Sequence, residues 1–388
     1  MSLIRGLTWD HPRAVDSIHA ASSAYSALNP GTTFEWTARP LHEFEDVPLD
    51  DLASGFDVLA IDHPFVGDAA ASGALTSLSA LLGAEKLRSR ADAYIGRSYA
   101  SYEREGELWA LPVDAACMVA AVRLDDAPAA GLPERWDDVV PFIRELGKDR
   151  TVIAANPTHL WGTFLSLCEA HNAGTVPDLA TGPSWWRTGG ICDEVAVPAL
   201  ELMREIVIAS ATRSLHLDPV AVLDELAGDG PGVYTPLVFM YSTYSLRRDG
   251  RGAVSFHAAP AVGEQPTGTL TGGVGLAVSG RSACRNEAAD FILFATSEHV
   301  QRGIYAEAGG QPASTAAWLD GAVNERAGGL YRNTASTMEL SFLRPRRAGY
   351  PAYQRAAAHA LHDLFEQGRS AQHIVSTLNR MWADVASH

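Results

Sequence analysis

The 388-residue sequence predicts an α/β protein built as two lobes. Between Ile4 and Ile61, short apolar β-like runs alternate with helix-period segments, the rhythm of an open α/β sheet. At ~150 residues per domain the chain is too long for one core. Residues 106–116, Gly-Glu-Leu-Trp-Ala-Leu-Pro-Val-Asp-Ala-Ala, read as a strand that leaves one lobe for the other. Leu108, Trp109, Ala110 and Leu111 are apolar, and Pro112 removes a backbone donor, so the strand is expected to end there as the chain changes partners. Residues 115–122 form a second β-capable run. Asp114 lies between the two runs with no basic residue within several positions, and is expected to face a crevice or to bond turn amides.

Composition narrows the class. The chain is 47% hydrophobic and 20% charged, which suits a folded soluble protein. Thirty basic against forty-six acidic residues leave a formal charge of −16, which argues against duplex nucleic acid or an anionic membrane as main partner. No apolar run reaches the ~20 residues that span a bilayer. The first ten residues lack a basic-then-apolar signal pattern, so the expected location is periplasmic or extracellular if an export signal has been removed, and otherwise cytoplasmic. Cysteines 117, 168, 192 and 284 have no C-x-x-C spacing, hence no zinc or redox motif. Cys117 and Cys168 read as core thiols, with a Cys168–Cys192 bridge as the alternative.

In order, residues 4–8 are a strand ending at Trp9-Asp10-His11-Pro12, and 14–28 a helix stopped by Asn29-Pro30-Gly31. Residues 32–37 are β-like, 47–53 a short helix, and 56–61 a strand ending at Asp62-His63-Pro64. Two strand ends thus carry Asp-His-Pro. The carboxyl ends of strands face the ligand crevice in an open α/β sheet, so carboxylate and imidazole can converge there. They serve as a metal or catalytic dyad, or as a cap from Asp10 plus hydrogen bonds to a ligand or loop. Residues 72–82 close the first lobe's edge, and 91–102 lead into the crossing strand.

Beyond a loop at 123–133, Trp136-Asp137-Asp138 opens a helix to Gly147, and 152–155 are a strand. Asn156-Pro157-Thr158 caps a helix carrying Trp161, which is either a ligand-facing surface or core. Residues 195–210 and 220–227 are helices. The run 233–245 holds Tyr234, Tyr241 and Tyr244, whose phenols suit sugar-like ligands or half-buried strand positions. Residues 254–259 are a strand and 260–270 a link back. Gly272 and Gly273 then precede an apolar strand and let backbone amides approach a ligand, without the pattern of a phosphate or dinucleotide loop. Residues 286–294 and 298–307 are helices, Gly309-Gly310-Gln311-Pro312 is a second tight link, and the rest is helical, most clearly at 352–365 and 371–386.

The succession Leu108-Trp109-Ala110-Leu111-Pro112-Val113-Asp114, Gly131-Leu132-Pro133, Trp136-Asp137-Asp138, Gly272-Gly273-Val274-Gly275-Leu276-Ala277-Val278-Ser279, Glu287-Ala288-Ala289-Asp290-Phe291-Ile292 and Gly309-Gly310-Gln311-Pro312 resembles the carbohydrate-type extracellular solute-binding proteins of ABC importers, those with a maltodextrin-binding-protein-like fold. The resemblance covers nearly the whole chain. It implies a two-lobed periplasmic-binding-protein-like fold with three inter-lobe crossings, near Pro112, Pro260 and Pro312. One lobe would comprise 1–112 plus 261–312, the other 113–260 plus 313–388. It further implies a small-molecule ligand held between closing lobes, delivery to ABC permease membrane subunits, a monomer, and no enzyme activity, cofactor, metal or nucleic acid. The ligand-binding set expected is Trp9, Asp10, His11, Asp62, His63, Asp114, Trp161, Tyr241, Gly272, Gly273 and Gln311. The first-lobe strand ends are polar and acidic where sugar binders commonly place several tryptophans, which favours a small polar ligand, sugar-like, hydroxylated or nitrogen-containing, over a long oligosaccharide. A cytoplasmic sensor or carrier, or an enzyme using Asp10, His11, Asp62 and His63, are the alternatives.

Overall fold

The computed structural model describes residues 2–40, 47, 49–172, 183–246, 252–263 and 266–386. Its centre is an eight-stranded mixed sheet in the order Tyr234–Phe239, Ala110–Arg123, Thr271–Ser279, Val58–Ile61, Ser2–Trp9, Thr32–Arg39. Val254–His257 also pairs with Ala110–Arg123, and Leu75–Thr76 with Thr271–Ser279. Ser2–Trp9 runs parallel to Thr32–Arg39 and to Val58–Ile61, which requires a crossover between each pair. The first crossover is the helix Pro12–Leu28. Its Ala14, Ile18, Ala21 and Tyr25 recur at helical spacing and are buried. Pro12 occupies the first turn, so the cap falls on His11, whose Nδ1 accepts the Arg13 N–H at 3.1 Å. Asp10 is exposed and does not cap this helix, contrary to one sequence expectation.

The crossing segment differs from expectation in one respect. Instead of ending at Pro112, a single strand runs from Ala110 to Arg123, buried along all but its last residue. Its start pairs with Thr271–Ser279 and its end with Tyr234–Phe239 and Val254–His257. Pro112 is tolerated because the register with Thr271–Ser279 shifts between Val274 and Gly275, an irregularity where a missing donor does least harm. Gly273 sits beside this shift with φ +111°, and a Cβ there would lie 2.3 Å from the Asp114 carbonyl oxygen. Only glycine fits.

Elsewhere, residues 152–155 form no ladder, only a bridge at Thr151 to Tyr234. The strand in 233–245 stops at Phe239, and Ser242–Tyr244 is a 3-10 turn. The 298–307 helix is interrupted by a π turn, Gln301–Tyr305, where Gly303 leaves helical geometry. Among the described residues two hydrophobic cores form: one gathers Ile4, Leu59, Leu276 and Phe291, the other Trp136, Trp161, Leu200 and Trp382. The second receives the helices Tyr350–Glu366 and Ala371–Ala386 through Tyr353, Leu361, Leu378 and Trp382. The four cysteines are free thiols.

Candidate functional site

A cavity of about 390 Å³ opens where strand ends meet helix N-termini. On one side, Ser2–Trp9 delivers Trp9, Asp10 and His11, and Val58–Ile61 delivers Asp62. The opposite side is built by two capped helices. Asn156 caps Pro157–Ala170 by accepting the His159 N–H, and Asp218 caps Pro219–Ala227 by accepting the Ala221 N–H at 2.8 Å. Thr158, His159, Trp161, Phe239, Tyr241, Arg344 and Gln354 also line the cavity, and Ala116, Gly272, Gly273 and Val274 contribute from the crossing ribbon.

Both arginines at the cavity are already engaged. Arg13 donates through Nε to Asp114 Oδ2 at 2.7 Å, through a second nitrogen to Asp114 Oδ1, and through the third to the Met240 carbonyl at 3.0 Å. Burial works against the Arg13 charge, but the Asp114 carboxylate outweighs it and raises the guanidinium above its ordinary value. The same guanidinium lies 4.6 Å from the centre of the Tyr241 ring, a cation–π contact, and His11 meets that ring edge-on at 5.0 Å. Arg344 donates to Asp62 Oδ2 at 2.5 Å and to Gln354 Oε1 at 3.0 Å. Burial pushes the Asp62 carboxyl up, while Arg344 and His63 pull harder and bring it down to about 2.

The imidazoles are held neutral. Burial, helped by Arg13, lowers His11 to about 4, and burial lowers His159 to about 4 although Asp218 opposes it. His159 Nδ1 lies 2.7 Å from Asn156 Oδ1, so the neutral ring donates there and leaves Nε2 as an acceptor.

Of the residues expected from the sequence, Trp9, Asp10, His11, Asp62, Trp161, Tyr241, Gly272 and Gly273 line the cavity, and His63, Asp114 and Gln311 do not. Asp114 is 1% exposed and neutralised by Arg13, a partner 101 positions away that no reading of its sequence neighbours could supply. His63 is 1% exposed beneath Asp62, and burial, with Arg344, lowers it to about 4. Gln311 is fully buried as a structural joint, accepting the Ser242 N–H at 3.0 Å and donating to the Ala115 carbonyl at 2.8 Å. Trp161 borders the cavity but is 1% exposed and packs among Phe164, Trp186 and Tyr353. Arg13, His159, Asp218, Arg344 and Gln354 were not expected at the site, and Asn156 and Thr158, correctly expected at the cap of their helix, were not expected to line the cavity. A signal for Asn156 and Asp218 was present, since each precedes a proline, as His11 does, and a polar residue before an N1 proline marks a helix start.

No protein-family model matches the sequence. No curated protein matches it. Solved structures do. A maltose-bound MalE3 of T. maritima superposes with a TM-score of 0.79 at 18% identity, over 98% of each chain. An ABC transporter solute-binding protein of Agrobacterium radiobacter K84, in complex with ribitol, gives 0.76 at 14% identity, again over 98% of each. UgpB of Mycobacterium tuberculosis, in complex with glycerophosphocholine, gives 0.77 at 16% identity, over 100% of this chain and 99% of that one. The chain has the fold of these solute-binding proteins. This is the two-lobed, maltodextrin-binding-protein-like α/β architecture that the order of motifs implied. Among the described residues, no helix is long and apolar enough to cross a membrane.

Proposed function

We propose that the protein captures a small, uncharged, hydroxylated ligand in this cavity for import by an ABC transporter. The observation that carries the reading is the internal pairing of the site's cations. Arg13 and Arg344 are both bound to carboxylates, and His11 and His159 are neutral near pH 7. Asp10, Asp218 and the free His159 nitrogen are acceptors, while Trp9, Tyr241 and Phe239 contribute aromatic carbon to the lining. Among the described residues, an anion at the cavity would meet no unclaimed cation, whereas hydroxyl groups find acceptors and carbon-bound hydrogens find aromatic surface.

In this reading the lobes are 1–112 plus 261–312 and 113–260 plus 313–388, they close on the ligand, and the closed form is presented to permease subunits from the periplasmic or extracellular side. The protein acts as a monomer and performs no chemistry on its ligand. The enzymatic alternative is weakened because Asp62 is tied to Arg344 and His63 lies outside the cavity, which leaves only Asp10 and His11 of the four groups it needed. Calorimetric titration with ribitol and maltose, alongside the anions glucuronate and glucose 6-phosphate, tests the class. Binding confined to the neutral polyol or sugar supports it; preference for the anions overturns it.

A further inference from the structure

Residues 341–346 are buried although they form no helix, and only Phe342 makes a bridge, to Leu270. A buried irregular stretch must satisfy its polar groups through specific partners. Those of 344–349 come largely from residues 62–104. Arg344 bonds Asp62, Arg346 donates to the carbonyls of Ala100 and Glu103, Arg104 donates back to the Arg346 carbonyl, and the Gly349 N–H donates to Asp68 Oδ1 at 2.7 Å. Gly67 packs so closely on this backbone that a Cβ would lie 2.4 Å from the Arg347 carbonyl carbon. At its other end the segment runs into Tyr350–Glu366, whose Tyr353 packs on Trp161 and Trp186 in the second core, and whose Gln354 holds Arg344.

We infer that 344–349 is a latch between the lobes, with Arg344 positioning the cavity residues Asp62 and Gln354 as the latch engages. This rests on the two-lobe reading of the cavity. Residues 62–104 fall in one proposed lobe and 344–366 in the other, so opening must break the Arg344–Asp62, Arg346 and Gly349–Asp68 contacts together. Arg344 and Arg346 are buried charges and the Gly349–Asp68 contact is partly buried beside them, so the set engages as a unit. Arg344 thereby links the state of the cavity to the distance between the lobes, and a ligand that reinforces the Asp62 carboxylate's position favours closure.

Small-angle scattering of the ligand-free protein tests the latch. Arg344→Met and the milder Asp68→Ala should each give a larger radius of gyration than the wild type, with far-UV circular dichroism unchanged. Equal radii in folded variants would overturn the latch and leave the cavity reading standing, because the titrations above decide that reading separately. If Arg344→Met fails to fold, Asp68→Ala alone decides, since its carboxylate accepts a single N–H from the segment.

Discussion

Arg344 and Asp62, separated by 282 positions in sequence, form a buried ion pair on the cavity wall, their side chains 5% and 8% exposed. Removing one partner leaves the other charged and desolvated, which typically costs about 3–5 kcal/mol, whereas removing both avoids the uncompensated charge. Urea unfolding of Asp62→Asn and Arg344→Met should therefore show large single losses, with the double variant well short of their sum. Additive losses would mean that the pair is not coupled.

With the ordinary imidazole value of about 6.5, His11 and His63 would titrate near neutrality and make affinity vary between about pH 5 and 8 if either met the ligand. Their folded values near 4 move that window. A histidine depressed from 6.5 binds its proton more readily when unfolded, so its stabilisation is complete above about pH 6.5 and lost as pH falls toward 4. Asp62, depressed to about 2 from 3.8, stabilises above 3.8 and loses that only below. The melting temperature should thus be flat from pH 7 to 8 and decline between 6.5 and 4, and His63→Gln should flatten the decline. Ligand affinity should be constant from pH 6 to 8; a step near 6.5 would return a histidine to the binding face as a titrating group.

Trp161 and Tyr241 should separate by phenotype. Trp161, enclosed by Phe164, Trp186 and Tyr353, should lose about 3–5 kcal/mol of stability as Trp161→Ala, as large-to-small core changes do. Tyr241 presents its ring to the cavity between Arg13 and His11, and Tyr241→Ala should weaken ligand binding by about 1–3 kcal/mol. Calorimetry and thermal melts on both variants check this, and the reverse pattern would exchange their roles.

Gly273→Ala should destabilise by more than about 1 kcal/mol, because alanine is disfavoured at φ +111° and its Cβ would strike the Asp114 carbonyl. An unchanged denaturation midpoint would show that the ribbon yields there.

Much of the cavity could be read from local sequence because strand ends and helix starts are written locally. Asp10, His11 and Asp62 follow apolar β runs, and strand carboxyl ends face the crevice. The glycine pair announced a close backbone approach. What stayed hidden were partners brought together by topology. Asp114 looked like an uncommitted acid because Arg13 lies on a helix formed a hundred residues earlier. Arg344 sits in a stretch without periodicity, where pattern reading has nothing to count. Pro112 misled for the opposite reason: a local rule ended a strand that a register shift in its neighbour keeps intact.

A crystal structure of the protein with its bound ligand tests the central claim most directly. The expected result is an uncharged hydroxylated molecule in the cavity of about 390 Å³, hydrogen-bonded to Asp10 and packed on Trp9 or Tyr241, with the Arg344–Asp62 pair closed beside it. A ligand lying more than one side-chain length from both Trp9-Asp10-His11 and Asp62, or an anion bound to a freed Arg13 or Arg344, would contradict it.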